Sequence, residues 1–306
     1  MSKPRITVLG SYNTDLVTFT PRMPRPGETI LGTGFKTGPG GKGSNQAVAA
    51  ARAGAAVTFV GRIGTDMFGD MALNVWQEAE ILTDHVIRSD DAPTGVASII
   101  VDENGENMIV VASGANWLVS AEDVERALPA IQKSAVFLTQ LETPLESVRR
   151  GLELARASGL ITILNPAPAQ KLAPELLTLV DILTPNQTEA EIISGIPSTN
   201  AENACKALRD RGANTIVMTL GAEGVLLYDD NGPQHFPAFK VEQVVDTTGA
   251  GDAFNGALAV ALAEGRALPD AIRFAAATGA LSVTRPGATD SMPYRPEIEA
   301  LLQKNA

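Results

Sequence analysis

The chain has 306 residues, 44% of them hydrophobic, which is enough for one large α/β domain with a full core or for two smaller ones. Its 24 basic residues face 35 acidic ones, a formal net charge of −11, and no Lys/Arg cluster interrupts that balance, which excludes a nucleic-acid or anionic-membrane surface. The single cysteine, Cys205, excludes an internal disulfide. His85 and His235 have no Cys or His neighbours at metal-ligand spacing, and no apolar run approaches the ~18 residues that span a bilayer. Lys3 and Arg5 run straight into a strand-like segment rather than a leader, so the expectation is a soluble cytoplasmic protein.

In chain order, residues 6–9 read as a buried strand ending at Gly10. Residues 11–39 are rich in Pro, Gly and Thr without helical period and read as extended strands outside the main core. Residues 44–53 turn helical, 57–60 form a strand and 68–79 a helix. The runs 95–101 and 107–111 flank Asn104-Gly105, a hairpin signal. From there helices (121–131, 145–157, 188–194, 201–211) alternate with strands (136–141, 160–164, 182–183, 215–219), which means βαβ units and a doubly wound, mostly parallel sheet with helices on both faces. The segments 224–228 and 235–239 bracket a second hairpin near a sheet edge. With no repeat or long linker, residues 1–306 read as one α/β domain. The extended insertions, about 15–36 and 95–111, are expected to pair into a small β-sheet that acts as a lid.

The chemistry concentrates near Asp246-Thr247-Thr248-Gly249-Ala250-Gly251-Asp252, where a β-branched run ends and an Ala-rich buried helix, 253–263, begins. Unpaired N–H groups at a helix start attract anions, and glycines let backbone approach a phosphate. A carboxylate in the same turn repels phosphate, so Asp252 makes sense as a base for a nucleophile that attacks it. An Asp at a helix start is ordinarily a cap, and that is the competing reading. Gly38-Pro39-Gly40-Gly41-Lys42-Gly43 fits G-x-G-x-x-G, but the insertion separates it from the first core strand. A nicotinamide reading survives only through Arg62 as a 2′-phosphate partner. The Walker pattern fails because Gly43 follows Lys42, and close helix packing explains the glycines equally well. Asn13, Asp15, Glu142, Asn165, Asn186 and Glu189 all follow strands, where open α/β sheets bind ligands. Short carboxylates and amides suit sugar hydroxyls.

Gly40-Gly41-Lys42-Gly43-Ser44-Asn45-Gln46-Ala47, with Gly54 and Gly64, resembles the first signature of the ribokinase or PfkB-type family of carbohydrate kinases, and the segment 246–252 resembles the second. The likeness runs nearly end to end, through Gly10-Ser11-Tyr12-Asn13-Thr14-Asp15, Gln140-Leu141-Glu142-Thr143-Pro144, Asn165-Pro166-Ala167-Pro168, Pro185-Asn186-Gln187-Thr188-Glu189 and Thr219-Leu220-Gly221. The resemblance implies ATP-dependent phosphorylation of D-ribose at its 5-hydroxyl, with 2-deoxyribose or another sugar or nucleoside as the alternative acceptor. A catalytically silent sugar-binding regulator is the alternative from another class. It implies Asp252 as base, the amides of Gly249, Ala250 and Gly251 as an anion hole, and Asn13, Asp15, Gly41, Lys42, Gly43, Asn45 and Glu142 around the sugar. Asn186, Thr219, Gly221, Ala222, Gly224 and Gly251 would line the ATP site, and Glu189 would order Mg²⁺ through water. Asp246, Thr248, Ser282, Arg285, Gly287 and Ser291 would surround K⁺ or a similar monovalent cation, and a homodimer would form through the lid. The sequence departs from the family at Gln187, where Glu is frequent, and at Ala275-Ala276-Ala277, where a His or Asn commonly meets the nucleotide.

Overall fold

The structure, a computed structural model, describes residues 3–305; Met1, Ser2 and Ala306 lie outside the described residues. The strands are β1 (Arg5–Leu9), β2 (Asn13–Phe19), β3 (Gly34–Gly40), β4 (Ala56–Gly64), β5 (Leu82–Ser89), β6 (Gly95–Val101), β7 (Asn107–Ala112), β8 (Val136–Thr139), β9 (Ile161–Leu164), β10 (Ile182–Leu183), β11 (Thr215–Thr219), β12 (Val225–Asp229) and β13 (Gly232–Phe236). The helices are α1 (Lys42–Arg52), α2 (Met67–Glu78), α3 (Ala121–Arg126), α4 (Leu128–Ile131), α5 (Leu145–Ala157), α6 (Pro174–Leu177), α7 (Gln187–Ser194), α8 (Ala201–Asp210), α9 (Ala250–Ala263), α10 (Leu268–Ser282) and α11 (Arg295–Lys304).

Nine strands form one sheet in the order β13-β12-β11-β10-β9-β8-β1-β4-β5, parallel from β11 to β5 and antiparallel through β12 and β13. The chain leaves β1 toward β4 on one side and returns to β8 on the other. The order therefore reverses beside β1, the kind of crevice where open α/β sheets bind ligands. The period-2 alternation of each strand fills both faces. Ile6, Val8, Val57, Phe59, Val136, Leu138, Ile163 and Val217 point into a core shared with α1, α2, α9, α10 and α11. Leu9, Val60, Phe137, Leu164, Ile216 and Met218 point into the opposite core, with α3 to α8. Helix α9 is the most deeply placed: its residues from Asp252 to Leu262 are all buried, as its nearly uniform apolar sequence requires.

The two insertions pair into a separate four-stranded sheet, β3-β2-β6-β7. Only their ends are strand, since residues 20–33 form a bent, Pro- and Gly-rich connection. Two further expectations change. The expected helix over 121–131 is two, α3 and α4, because Pro129 has no N–H to carry the ladder onward. The second hairpin turns within the expected connection, at Asp230-Asn231, with Asn231 N–H donated to Asp229 Oδ1 (2.7 Å) and Gly232 at φ 88°, but its second strand begins earlier, at Gly232 rather than His235. β13 then takes up Pro233 at the sheet edge, where no ladder N–H is needed. Strand β5 and helices α10 and α11 complete the core without having been assigned from sequence. Among the described residues no helix is long and apolar enough to cross a membrane.

Candidate active site

The glycines of the first motif are required by close backbone approach. At Gly41, φ is 86°, and a Cβ would lie 2.6 Å from Asn13 N; at Gly43 it would lie 2.5 Å from Ser11 N and 2.6 Å from Gly10 Cα. The packing reading of this motif is therefore correct, and it has a purpose: it starts α1 directly against the segment that joins β1 to β2. The nicotinamide reading fails. The motif leaves the small sheet, not the first core strand, and the Arg62 guanidinium is spent on Asp123 (2.7 and 3.0 Å).

The approach gathers the sugar-side candidates. Glu142, just beyond β8, accepts the Lys42 backbone N–H (3.0 Å) and the Ser11 hydroxyl. Asn13 is buried at the start of β2, and its Oδ1 accepts an N–H from Asn116 (2.9 Å), so its own NH₂ is the end left to face a ligand. Asp15 lies over Gly40, where a Cβ would strike its carboxylate at 2.5 Å. Burial, then Glu142 and Asp252, push the Asp15 carboxyl up to about 6. Burial draws the Lys42 ammonium down, but Asp252, Glu142 and Glu189 together outweigh it and leave the group above its ordinary value. One half-buried cation thus feels three carboxylates that reach the site from separate parts of the chain.

Asp252 occupies the first turn of α9 and is buried. It caps nothing. Its Oδ2 accepts an N–H from Asn45 (2.9 Å) and its Oδ1 one from Gln46 (2.9 Å), both side chains of α1. The helix start is left open: Ala250 N–H turns back to the Thr247 carbonyl (3.2 Å), while the N–H groups of Gly249, Gly251 and Asp252 meet no protein acceptor among the described residues. Gly249 makes this possible by adopting φ 77° at the N-cap. Of the three expected anion-hole amides, that of Ala250 is therefore already engaged.

Beside this turn is a cleft of about 160 Å³ whose lining includes Lys42, Asn186, Glu189, Thr219, Gly251 and Asp252. Asn186 and Glu189 form a reciprocal cap at the start of α7, each side chain accepting the other's N–H at 2.8 Å. Burial raises the Glu189 carboxyl, against the opposing pull of the Asn186 N–H and Lys42. Thr219 bridges to Asn186 at the end of β11, but Gly221 and Ala222 are exposed on the turn beyond it and Gly224 is buried behind them, none of them lining the cleft. Asp246 ties two loops together by accepting the N–H groups of Thr248 and Gly287, both at 2.9 Å. Burial works against its ionisation, but these bonds and Lys36 hold its carboxyl below the ordinary range. The side chains of Ser282 and Ser291 bond to the carbonyls of Gly279 and Ala288, and the Arg285 guanidinium pairs with Glu297. Arg285, whose side chain is itself a cation, could offer a bound cation only its backbone carbonyl, whereas both serine hydroxyls keep oxygen lone pairs.

The sequence profile described as pfkB family carbohydrate kinase matches residues 3–295. The chain belongs to the PfkB family of carbohydrate kinases. It is similar to the ribokinase of Haemophilus influenzae (44% identity, covering 97% of this chain and 98% of that one) and to a deoxyribokinase of Salmonella typhi (37%, covering 98% and 99%). Among solved structures it resembles Arabidopsis thaliana ribokinase complexed with ribose and ATP, at TM-score 0.91, 33% identity and 99% coverage of both chains.

Several residues of this PfkB-family site gave no functional signal in the sequence. Gln46 was visible only as part of a motif, yet it holds the Asp252 carboxylate. Asn116 sits in an unremarkable Gly-Ala-Asn turn and is recognisable only through its contact with Asn13. Asn255 was the most accessible to reasoning, since it lies three residues after Asp252 on the same helix face, and its side chain donates to the Gly251 carbonyl (2.8 Å).

Proposed function

We propose that the protein transfers the γ-phosphoryl group of ATP to the 5-hydroxyl of D-ribose, giving D-ribose 5-phosphate and ADP. The observation that carries this reading is the buried Asp252 carboxylate, held by two amide donors beside open helix N–H groups and next to the Asn13, Asp15 and Glu142 cluster. Asp252 takes the proton from O5 as O5 bonds to the γ-phosphorus and the bond to the β-bridging oxygen breaks. The N–H groups of Gly249 and Gly251 receive the negative charge on the transferring group. Asn13, Asp15, Gly41, Lys42, Gly43, Asn45 and Glu142 hold the sugar; Asn186 and Thr219 hold the nucleotide from the cleft, and the exposed turn of Gly221 and Ala222, backed by Gly224, borders it on the outside.

Glu189 suits Mg²⁺ held through water, because its carboxylate lines the same cleft as Gly251 and Asp252. When bound with ATP, Mg²⁺ neutralises phosphate charge. Asp246, already drawing the turns at Thr248 and Gly287 together, suits a monovalent cation such as K⁺ bound by one carboxylate and backbone oxygens of Thr248, Ser282, Arg285, Gly287 and Ser291. In this reading the chain is a single α/β domain, the small sheet is a lid that excludes water, and its exposed apolar residues, among them Phe35, Ile109 and Val110, pair two copies into a homodimer. The compartment is the cytoplasm. The resemblance to deoxyribokinase makes 2-deoxyribose the second candidate acceptor.

The test is ADP release coupled to a reporter, across ribose, 2-deoxyribose and fructose. Release that depends on ribose, and falls ~10²–10⁴-fold in Asp252→Asn while ATP still binds, supports the assignment. Bound nucleotide with no sugar-dependent release points instead to a silent sugar-binding protein.

A further inference from the structure

The buried amides behind Asp252 form a chain whose polarity is fixed at one end. The Thr184 carbonyl can only accept, and it takes the N–H of Asn165 Nδ2 (3.0 Å). That turns Asn165 Oδ1 toward Gln46, whose Nε2 donates to it (3.1 Å) and, with its second hydrogen, to Asp252 Oδ1 (2.9 Å). Gln46 Oε1 in turn accepts from Gln140 Nε2 (2.6 Å). Reversing the Gln46 amide would set oxygen against oxygen at both Asn165 and Asp252, so its orientation is not a free choice. A second observation marks the arrangement as more than packing. Gln140 Oε1 is buried without a partner among the described residues, a condition folding disfavours, and it results from aiming the Gln140 N–H at Gln46.

Asn45 is held differently. Its Oδ1 accepts from the Thr289 hydroxyl (2.6 Å), one N–H goes to Asp252 Oδ2, and its second N–H has no protein acceptor among the described residues. Gln46 has every hydrogen-bonding atom committed to buried partners; Asn45 does not.

We infer that Gln46 is a positioning residue for the phosphoryl transfer: it permanently occupies Asp252 Oδ1 and so makes Oδ2 the oxygen that takes the proton from the acceptor hydroxyl. Asn45 is the group that yields Oδ2 when that hydroxyl arrives. This rests on the proposal that Asp252 is the base, and Gln140 locks Gln46 without touching Asp252.

The experiment compares steady-state kinetics of Gln46→Met, Gln140→Met, Asp252→Asn and the double variant Gln46→Met/Asp252→Asn, with ribose and ATP affinities measured by calorimetry. Gln46→Met should lower kcat ~10–100-fold with both affinities within about threefold. Gln140→Met should lower kcat by a smaller factor, about 3–10-fold, and it reports on the lock even if Gln46→Met folds poorly. In the Asp252→Asn background, Gln46→Met should change the residual rate by less than about twofold, because its whole effect passes through that carboxylate. A Gln46→Met enzyme with wild-type kcat, or an equal further loss in the double variant, overturns the inference. An active Asp252→Asn enzyme overturns instead the assignment of the base.

Discussion

Helices α1 and α9 cross at Gly256, one turn beyond Asp252, and the substitution Gly256→Ala tests whether that closeness sets the base. A methyl group there would lie 2.5 Å from the Gln46 carbonyl oxygen, 2.6 Å from Ala49 Cβ and 2.9 Å from Ala50 N. Ordinary carbon contacts need ~3.5–4.0 Å, so the helices must part by roughly 0.5–1 Å. The hydrogen bonds from Asn45 and Gln46 to Asp252, both 2.9 Å, would then exceed about 3.4 Å and be lost. Overpacking costs ~1–3 kcal/mol, and about 1 kcal/mol returns from replacing a helical glycine. The net loss of about 0–2 kcal/mol lowers Tm by at most ~8 °C and leaves the fold intact. A displacement of 1 Å near the chemistry can cost ~10²-fold, so kcat should fall ~10–100-fold. Gly279→Ala on α10 is the matched control: its nearest neighbour is the Ala250 carbonyl oxygen at 3.4 Å, an ordinary contact, so kcat should hold and Tm should not fall. Thermal melts and ribose-dependent ADP release on the two variants decide it. Wild-type kcat in Gly256→Ala would refute the dependence of the base on this crossing.

Four further outcomes can be measured. The Asp15 carboxyl, held up at about 6, takes its proton as pH falls. The apparent KM for ribose should therefore be about tenfold higher at pH 5 than at pH 7, and Asp15→Asn should flatten that profile. The same raised value means that Asp15 favours the folded state at acid pH and loses that contribution as pH rises through about 6. Asp15→Asn should accordingly raise Tm at pH 8. Asn13→Met removes the NH₂ that Asn116 turns outward, and should shift the ratio of kcat/KM for ribose over 2-deoxyribose toward the deoxy sugar; an unmoved ratio places that selectivity elsewhere. Initial rates should rise when K⁺ replaces a bulky organic cation at fixed ionic strength, and Asp246→Ala should lose the response; equal rates in both salts remove the cation from the mechanism.

The parallel sheet was legible because each buried strand is a short apolar run followed by a polar residue and a helix, as at 136–141 and 160–164. Strand β5 was not, because it lies at the sheet edge, where Asp84, His85 and Arg88 interrupt any alternation. The single-face signal also weakens in α10, whose Ala-rich sequence is buried on more than one side. At the site, residues placed by backbone were readable: Gly41 and Gly43 announce a turn, and Asp252 announces itself beside glycines. Residues placed by one another were not. Gln46 next to Asn45 looks like two polar positions on a small-residue helix, and only the fold brings Gln140, Asn165 and Thr184 against them from the ends of β8, β9 and β10.

Strand β3 ends at Gly40 and helix α1 begins at Lys42. Between the small sheet and the helix that carries Asn45 and Gln46 there is one residue, Gly41, and no slack. If the small sheet is the lid proposed above, a ligand beneath it, or a second copy against its outer face, would bear through that single residue on the helix whose Asn45 and Gln46 side chains hold the Asp252 carboxylate.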